Sequence, residues 1–394
     1  MTEGTAPARP ASYDKKTGLV LQGGGALGSY QAGVYEALAS SEYTPDWVAG
    51  ISIGAINAAI IAGNAPKDRV HRLRKFWEEI TAPTRLWPQA TGALATWQRW
   101  TSAVMAISFG QPGFFSPHSD AFSPFDKRTS YYSTSALKAT LERLVDFDRI
   151  NAKNEMRLSV GAVNVETGHF TWFDSAEMTI RVEHIMASGA LPPGFPPIEI
   201  DGEQYWDGGL FSNTPLQYMV DYYPRRSRVI FQVDLFPARA RHRPTNLDEV
   251  NERDKDIRYS SRTRLATNLL RERHDIRHAI NELHRLLPPE IANTEQARRL
   301  HSHGCVTTMD IVQLIYRPDE PQGSMKDFEF SRPTMELRWR QGLADARTTL
   351  QASPWLAPVP IELGVRVFDV IHDILRGSIS LPEQLPPLKV LAAR

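Results

Sequence analysis

Two glycine-marked turns lie close together near the start of this chain, each between an apolar strand-like run and a helix-like run. The first is LVLQGGGALGSYQAGVYEAL, Leu19 to Leu38. Leu19–Gln22 reads as a strand, and Ser29–Ala39 as a helix with apolar Ala32, Val34, Tyr35 and Leu38. Gly23, Gly25 and Gly28 match the G-x-G-x-x-G spacing of dinucleotide-binding turns. That reading needs an acid at the end of the second strand, about 20 residues on, to hold a ribose. The second strand ends near Ala49, and Gly50-Ile51-Ser52-Ile53-Gly54 follows. Asp46 precedes the strand, at the wrong end. G-x-S-x-G between a strand and a helix is a nucleophile elbow, in which glycines clear space for a serine in a strained turn. The next segment, Ala55–Ala62, is small and apolar all round, as close packing beneath an elbow requires. The first glycine turn then has a chemical use. Amides of Gly23, Gly24 and Gly25 can face an oxyanion formed when a serine attacks an ester.

Strand-like and helix-like segments alternate through the first 236 residues. Trp47–Ala49, Leu158–Asn164, Gln204–Trp206 and Arg228–Leu235 read as strands, with Phe170–Phe173 pairing as a hairpin with the second of these. This predicts an α/β fold with a mostly parallel central sheet covered on both faces. Residues 1–16, polar with two prolines, read as a disordered tail without the apolar core of a signal peptide. The longest apolar run, Val48–Gly63, is too short to span a membrane. A cytoplasmic protein is expected, with peripheral membrane contact as the one membrane relation considered. Between about 83 and 132 an insert carries Trp87, Trp97, Trp100, Phe109, Phe114, Phe115, Phe122 and Phe125, which reads as a packed cap or an apolar entrance. Residues 239–299 hold fourteen Arg/Lys and ten Asp/Glu in helical patterns. The interleaved acids favour a solvated, salt-bridged face, and no nucleic-acid partner is expected. Ile311–Tyr316 reads as a strand that rejoins the sheet, and a helix from about Pro333 to Leu350 follows it. Formal net charge is zero. The single cysteine, Cys305, has His301 and His303 nearby but no Cys/His cluster around it. A zinc site needs about four ligands, so neither a metal nor a cofactor is expected.

A serine nucleophile needs a base. His274, His278 and His284 lie in the charged helical region, His118 and His169 in loop or hairpin context, and His184 beside an apolar run, so each reads as structural or exposed. Asp207 in QYWDGGLFSNTP is better placed: an aromatic strand delivers it to a glycine turn, and Gly208 and Gly209 let its carboxylate approach without Cβ crowding.

The motifs GGGALG, GISIG and DGG, with ASGALPPGFPP at Ala187–Pro197 before the aspartate strand, resemble the patatin-like phospholipases over roughly residues 17–236. The resemblance implies a three-layer α/β/α fold and an acyl hydrolase with a Ser–Asp dyad. It implies Ser52 as nucleophile, Asp207 as base and Gly23–Gly25 as oxyanion hole, with Gly28, Gly50, Gly54, Gly208 and Gly209 supporting the turns. The family's glycine motif often carries Arg or Lys where this chain has Leu27. Residues 237–394 resemble a mainly helical extension found on some bacterial members, and the resemblance assigns it no chemistry. The expected substrate is a lipid or other hydrophobic carboxylic ester. Acyl transfer by the same acyl-enzyme, a membrane-docking module built on the basic helices, and a nucleotide-dependent oxidoreductase are the alternatives.

Overall fold

A strand that is apolar on both faces must be covered on both, and β1 (Lys16–Leu21) sits at the middle of the sheet with every residue after Lys16 buried. The computed structural model describes residues 7–81, 92–118, 129–359 and 363–379. β2 (Trp47–Gly50) and β3 (Arg157–Asn164) continue the sheet on one side of β1. β3 also pairs with β4 (Phe170–Asp174) and with β6 (Glu203–Asp207), which carries β5 (Ile198–Ile200) at the edge. On the other side of β1 lie β7 (Arg228–Asp234), β8 (Met309–Ile315) and β9 (Val365–Phe368). Pairing is parallel from β9 through to β3 and antiparallel for β4, β5 and β6.

Alternation along β1 sends its side chains to two cores. Leu19 and Leu21 join α1 (Ser29–Ala39), α2 (Ile53–Ala62), α3 (Arg69–Ile80) and α7 (Arg332–Ala352) on one face. Val20 joins Trp47, Leu216, Met219, Ile230 and Ile311 on the other, where Leu270 of the long helix α6 (Leu247–Arg285) closes the layer. The architecture is three-layer α/β/α with a helical C-terminal region. α3 is amphipathic, burying Leu73, Phe76, Trp77 and Ile80 at helical spacing. α1 and α7 cross in backbone contact. A Cβ on Gly33 would stand 2.0 Å from the Trp339 carbonyl oxygen, and one on Gly342 would stand 2.1 Å from that of Tyr30.

Residues 7–16 correct the expectation of a disordered tail, residues 1–6 lying outside the described residues. The Tyr13 hydroxyl donates to Asp310 Oδ2 at 2.7 Å, and Lys15 Nζ meets the same atom at 2.7 Å. Asp310 on β8 is wholly buried, and Arg366 on β9 holds its other oxygen at 2.7 Å. The tail is ordered because a buried carboxylate far along the chain needs its charge and its hydroxyl. The insert divides. Phe114 and Phe115 are buried against Phe195 and Phe330, while Trp97, Trp100 and Phe109 of α4 (Gly92–Phe109) are more than half exposed. Trp87, Phe122 and Phe125 lie outside the described residues. The charges of α6 are not all solvated either: Glu252 and Asp256 are buried against Lys326.

Residues beyond Pro237 thus supply two strands of the sheet and one helix on each of its faces. Ending the chain after Pro237 leaves β7 as an apolar edge and uncovers both layers, at about 25 cal/mol per Å² of apolar surface. A 1–237 fragment is expected to be insoluble or inactive in size-exclusion and ester-turnover assays. A soluble monomeric fragment with full activity would make the C-terminal region an independent module.

Candidate active site

β1 and β2 run side by side, so their C-terminal ends bring the two glycine turns together. Parallel α/β sheets place ligands at this end. The elbow is tight enough to exclude side chains at its glycines. A Cβ on Gly50 would lie 2.2 Å from the Gly54 carbonyl oxygen, and one on Gly54 2.3 Å from that of Leu21. Ser52 between them has φ 55° and ψ −125°, a conformation that costs a non-glycine residue about 1–3 kcal/mol. Neighbours hold it there. Ser52 N donates to the carbonyl and the hydroxyl of Ser188 on α5 (Val182–Ser188), each at 3.1 Å. Its own carbonyl accepts from Ala55 and Ile56 in the first turn of α2. The hydroxyl therefore stands at the positive end of a buried helix.

Asp207 ends β6, and its backbone N–H donates to the Ala190 carbonyl at 3.0 Å. The side chain is 2 % exposed. Oδ1 accepts from Gly209 N at 2.7 Å, and the Ser52 side chain is a second hydrogen-bond partner of the carboxylate. Burial drives the Asp207 pKa up to about 7, against the lowering effect of those two bonds. Gly208 packs on β3, where a Cβ would stand 2.5 Å from the Gly161 carbonyl oxygen.

Gly23, Gly24 and Gly25 line the same cavity as Ser52 and Asp207. Their amides are not equivalent. Gly23 N donates to the Asn213 carbonyl at 3.2 Å while the Asn213 side chain donates to the Gly23 carbonyl at 3.0 Å. The Gly23 amide, expected to face an oxyanion, is instead engaged in anchoring the turn to Asn213. Gly28 packs against Ile53 at the start of α2.

Sequence reasoning missed the buried amides behind the turn. Asn57 of α2 donates to the Gly28 carbonyl at 3.0 Å and to Gln31 at 2.9 Å, and accepts from Trp77 Nε1 at 3.1 Å. Gln31 donates to the Gln22 carbonyl at 2.6 Å, and Gln22 accepts from Leu235 N at 2.5 Å. The available signal was polar side chains, Gln22, Gln31 and Asn57, inside otherwise apolar segments. Such groups persist in a core only when paired.

The cavity, about 80 Å³, has apolar walls formed by Ile53, Ile56, Leu191 and the rings of Phe114, Phe115, Phe195, Phe236 and Phe330. No histidine is among its described lining residues. His184 is wholly buried against Phe173, with Nδ1 accepting from Arg181 N.

A second correction concerns Cys305. His274 and His278, one turn apart on α6, come within 4.8 Å of its sulfur and of each other. The H-x-x-x-H spacing was the missed signal. Both Nε2 atoms donate to the Thr307 carbonyl oxygen, at 2.8 and 2.6 Å, and His274 Nδ1 is buried without a hydrogen-bond partner. Burial lowers the His274 pKa, and Arg277 and Arg225 add positive charge beside it.

Among the described residues no helix is long and apolar enough to cross a membrane. Comparison with solved structures finds VipD from Legionella pneumophila at 14% identity, over 85% of this chain and 67% of that one, with a TM-score of 0.35. It also finds the ExoU–SpcU complex of the Pseudomonas aeruginosa type III secretion system at 18% identity and TM-score 0.27, over 73% of this chain and 58% of that one. Likenesses this slight carry no argument. A search of curated proteins gives no match. Family models are decisive: "Patatin phospholipase" matches residues 257–362, and "Patatin-like phospholipase" matches residues 19–220, just over half of the chain, with Ser52 and Asp207 inside the match. The chain belongs to the patatin-like phospholipase family.

Proposed function

We propose that this protein is a serine acyl hydrolase acting on hydrophobic carboxylic esters through Ser52 and Asp207. The observation that carries the reading is the pairing of a strained serine at an elbow with a buried carboxylate whose pKa lies near neutrality. A base poised near the working pH combines availability with driving force for proton transfer. Ser52 Oγ attacks the ester carbonyl carbon while its proton passes to Asp207. The carbonyl π pair moves onto oxygen, where the Gly24 and Gly25 amides and the N-terminus of α2 face the charge. Collapse re-forms the carbonyl and expels the alcohol, which takes the proton from Asp207. Water attacks the acyl-enzyme by the same route, its proton going to Asp207; collapse releases the acid and breaks the bond to Ser52 Oγ, which takes that proton back from Asp207. The phenylalanine-lined walls suit a fatty or aromatic acyl group.

A fluorophosphonate probe is expected to label wild-type protein and not Ser52→Ala. Labelling of the variant at equal intensity would remove Ser52 from the mechanism.

Because Asp207 must be ionised to accept a proton, kcat/KM is expected to rise with pH through an apparent pKa of about 7. Asp207→Asn is expected to lower the rate about 10²–10⁴-fold. The stability effect has the opposite sign. The fold raises this acid's pKa from 3.8 to about 7 and so favours its neutral form. The group's contribution to stability falls as pH rises from about 4 to about 7 and is level above. Asp207→Asn should therefore raise Tm relative to wild type at about pH 8 and leave it unchanged at about pH 4. A pH-independent rate in the native enzyme, or an Asn variant of full activity, would exclude Asp207 as the base.

A lipid surface is the proposed partner for α4, which exposes Leu94, Trp97, Trp100, Met105 and Phe109. Titration with liposomes is expected to shift tryptophan emission to the blue. An unchanged spectrum, with equal activity on dispersed and aggregated esters, would set this partner aside.

A further inference from the structure

The glycine turn is gripped from outside the segment that carries the nucleophile and the aspartate. Arg338 of α7 is 1 % exposed. Its Nη1 donates to the Ala26 carbonyl at 3.1 Å and to the Glu329 carbonyl at 3.1 Å, and its Nη2 to the Lys326 carbonyl at 3.0 Å. Ala26 directly follows Gly25. One planar cation thus ties the glycine turn to a strap at residues 323–330. The strap is itself over-determined. Lys326 Nζ meets Glu252 at 3.2 Å and Asp256 at 2.5 Å, both on α6. Glu252 also accepts from Gly323 N at 2.9 Å, and Lys255 holds Asp327 at 2.7 Å. This places the strap on the turn with no room to spare: a Cβ on Gly25, whose φ is +55°, would lie 2.3 Å from the Asp327 carbonyl oxygen. Beyond it, Phe328 and Phe330, with Tyr259 of α6, form one side of the cavity.

We propose that the C-terminal region is a working part of the site: Arg338 is a positioning residue that aims the Gly24 and Gly25 amides, and Tyr259, Phe328 and Phe330 set which acyl groups fit. A guanidinium supplies several donors in a rigid fork, which suits it to holding three carbonyls whose relative positions matter. Small displacements of such donors are felt mainly in the transition state, where the charge on oxygen is largest. The proposal rests on the reading of Ser52 as the residue acylated.

The test uses the full chain and a series of p-nitrophenyl esters of increasing acyl length. Arg338→Met is expected to lower kcat about 10²-fold with KM changed less than about threefold. Arg338→Lys, which keeps the charge and loses the fork, should recover part of the loss, and both should keep the pH profile of wild type. Phe328→Ala should move the preferred ester to a longer acyl group, changing the ratio of kcat/KM between long and short esters by about tenfold or more. A merely structural Arg338 would lower Tm or the active fraction without lowering kcat per labelled serine, and that result overturns the positioning role. If Arg338→Met fails to fold, the lysine variant decides in its place: wild-type kcat per labelled serine overturns the role. An unchanged ester profile in Phe328→Ala overturns the assignment of the wall. Loss of all turnover and labelling in the wild type would instead defeat the serine-hydrolase reading, so the two failures are distinguishable.

Discussion

Gly54 lies against the Leu21 carbonyl so closely that no Cβ could stand between them. This contact joins the start of α2 to the end of β1, and the rest of the site depends on it. It sets the elbow beside the glycine turn and aims the N-terminus of α2 at the space between them. The buried amides of Gln22, Gln31 and Asn57 then lock β1, α1, α2 and α3 behind the turn. Each satisfies a backbone or side-chain partner, so the polar layer rigidifies the site without leaving an unpaired buried group among these contacts.

Two features of the site run against the stability of the fold. Ser52 is held at positive φ without a glycine's freedom. Asp207 is a carboxylate buried where, among the described residues, no cation neutralises it; burial dominates its pKa, and Gly209 N and the Ser52 side chain work against that rise. Strain and a neutral-leaning acid persist because the surrounding helices and strands over-determine them. The same environment that destabilises the ionised aspartate makes it a stronger base than an exposed one, so destabilisation and proposed activity have a common cause.

The C-terminal region is bound to the rest by charge as well as by sheet pairing. Asp310 on β8 gathers Tyr13, Lys15 and Arg366, and Lys326 in the strap gathers Glu252 and Asp256. Buried ions of this kind are strongly destabilising when one partner is removed, because the other is left as an uncompensated buried charge.

Much of this was legible in the amino-acid order, and the reason is local. A strand–glycine–helix turn, a G-x-S-x-G elbow and an aspartate before two glycines each encode their geometry within a few residues, through φ limits and Cβ crowding. The sheet could be read too, because β1, β3, β7 and β8 are apolar runs that only burial explains. The sequence alone therefore determined the α/β class, the elbow at Ser52 and the candidate aspartate at Asp207. Tertiary structure decided what depends on partners distant in the chain: that residues 7–16 are ordered by Asp310, that the Gly23 amide belongs to Asn213, that Cys305 meets His274 and His278, and that Arg338 grips Ala26. A hydrogen bond or an ion pair leaves no periodic trace in either of the segments it joins. Its existence follows only once the sheet has brought them together and burial has made an unpaired polar group too costly to keep.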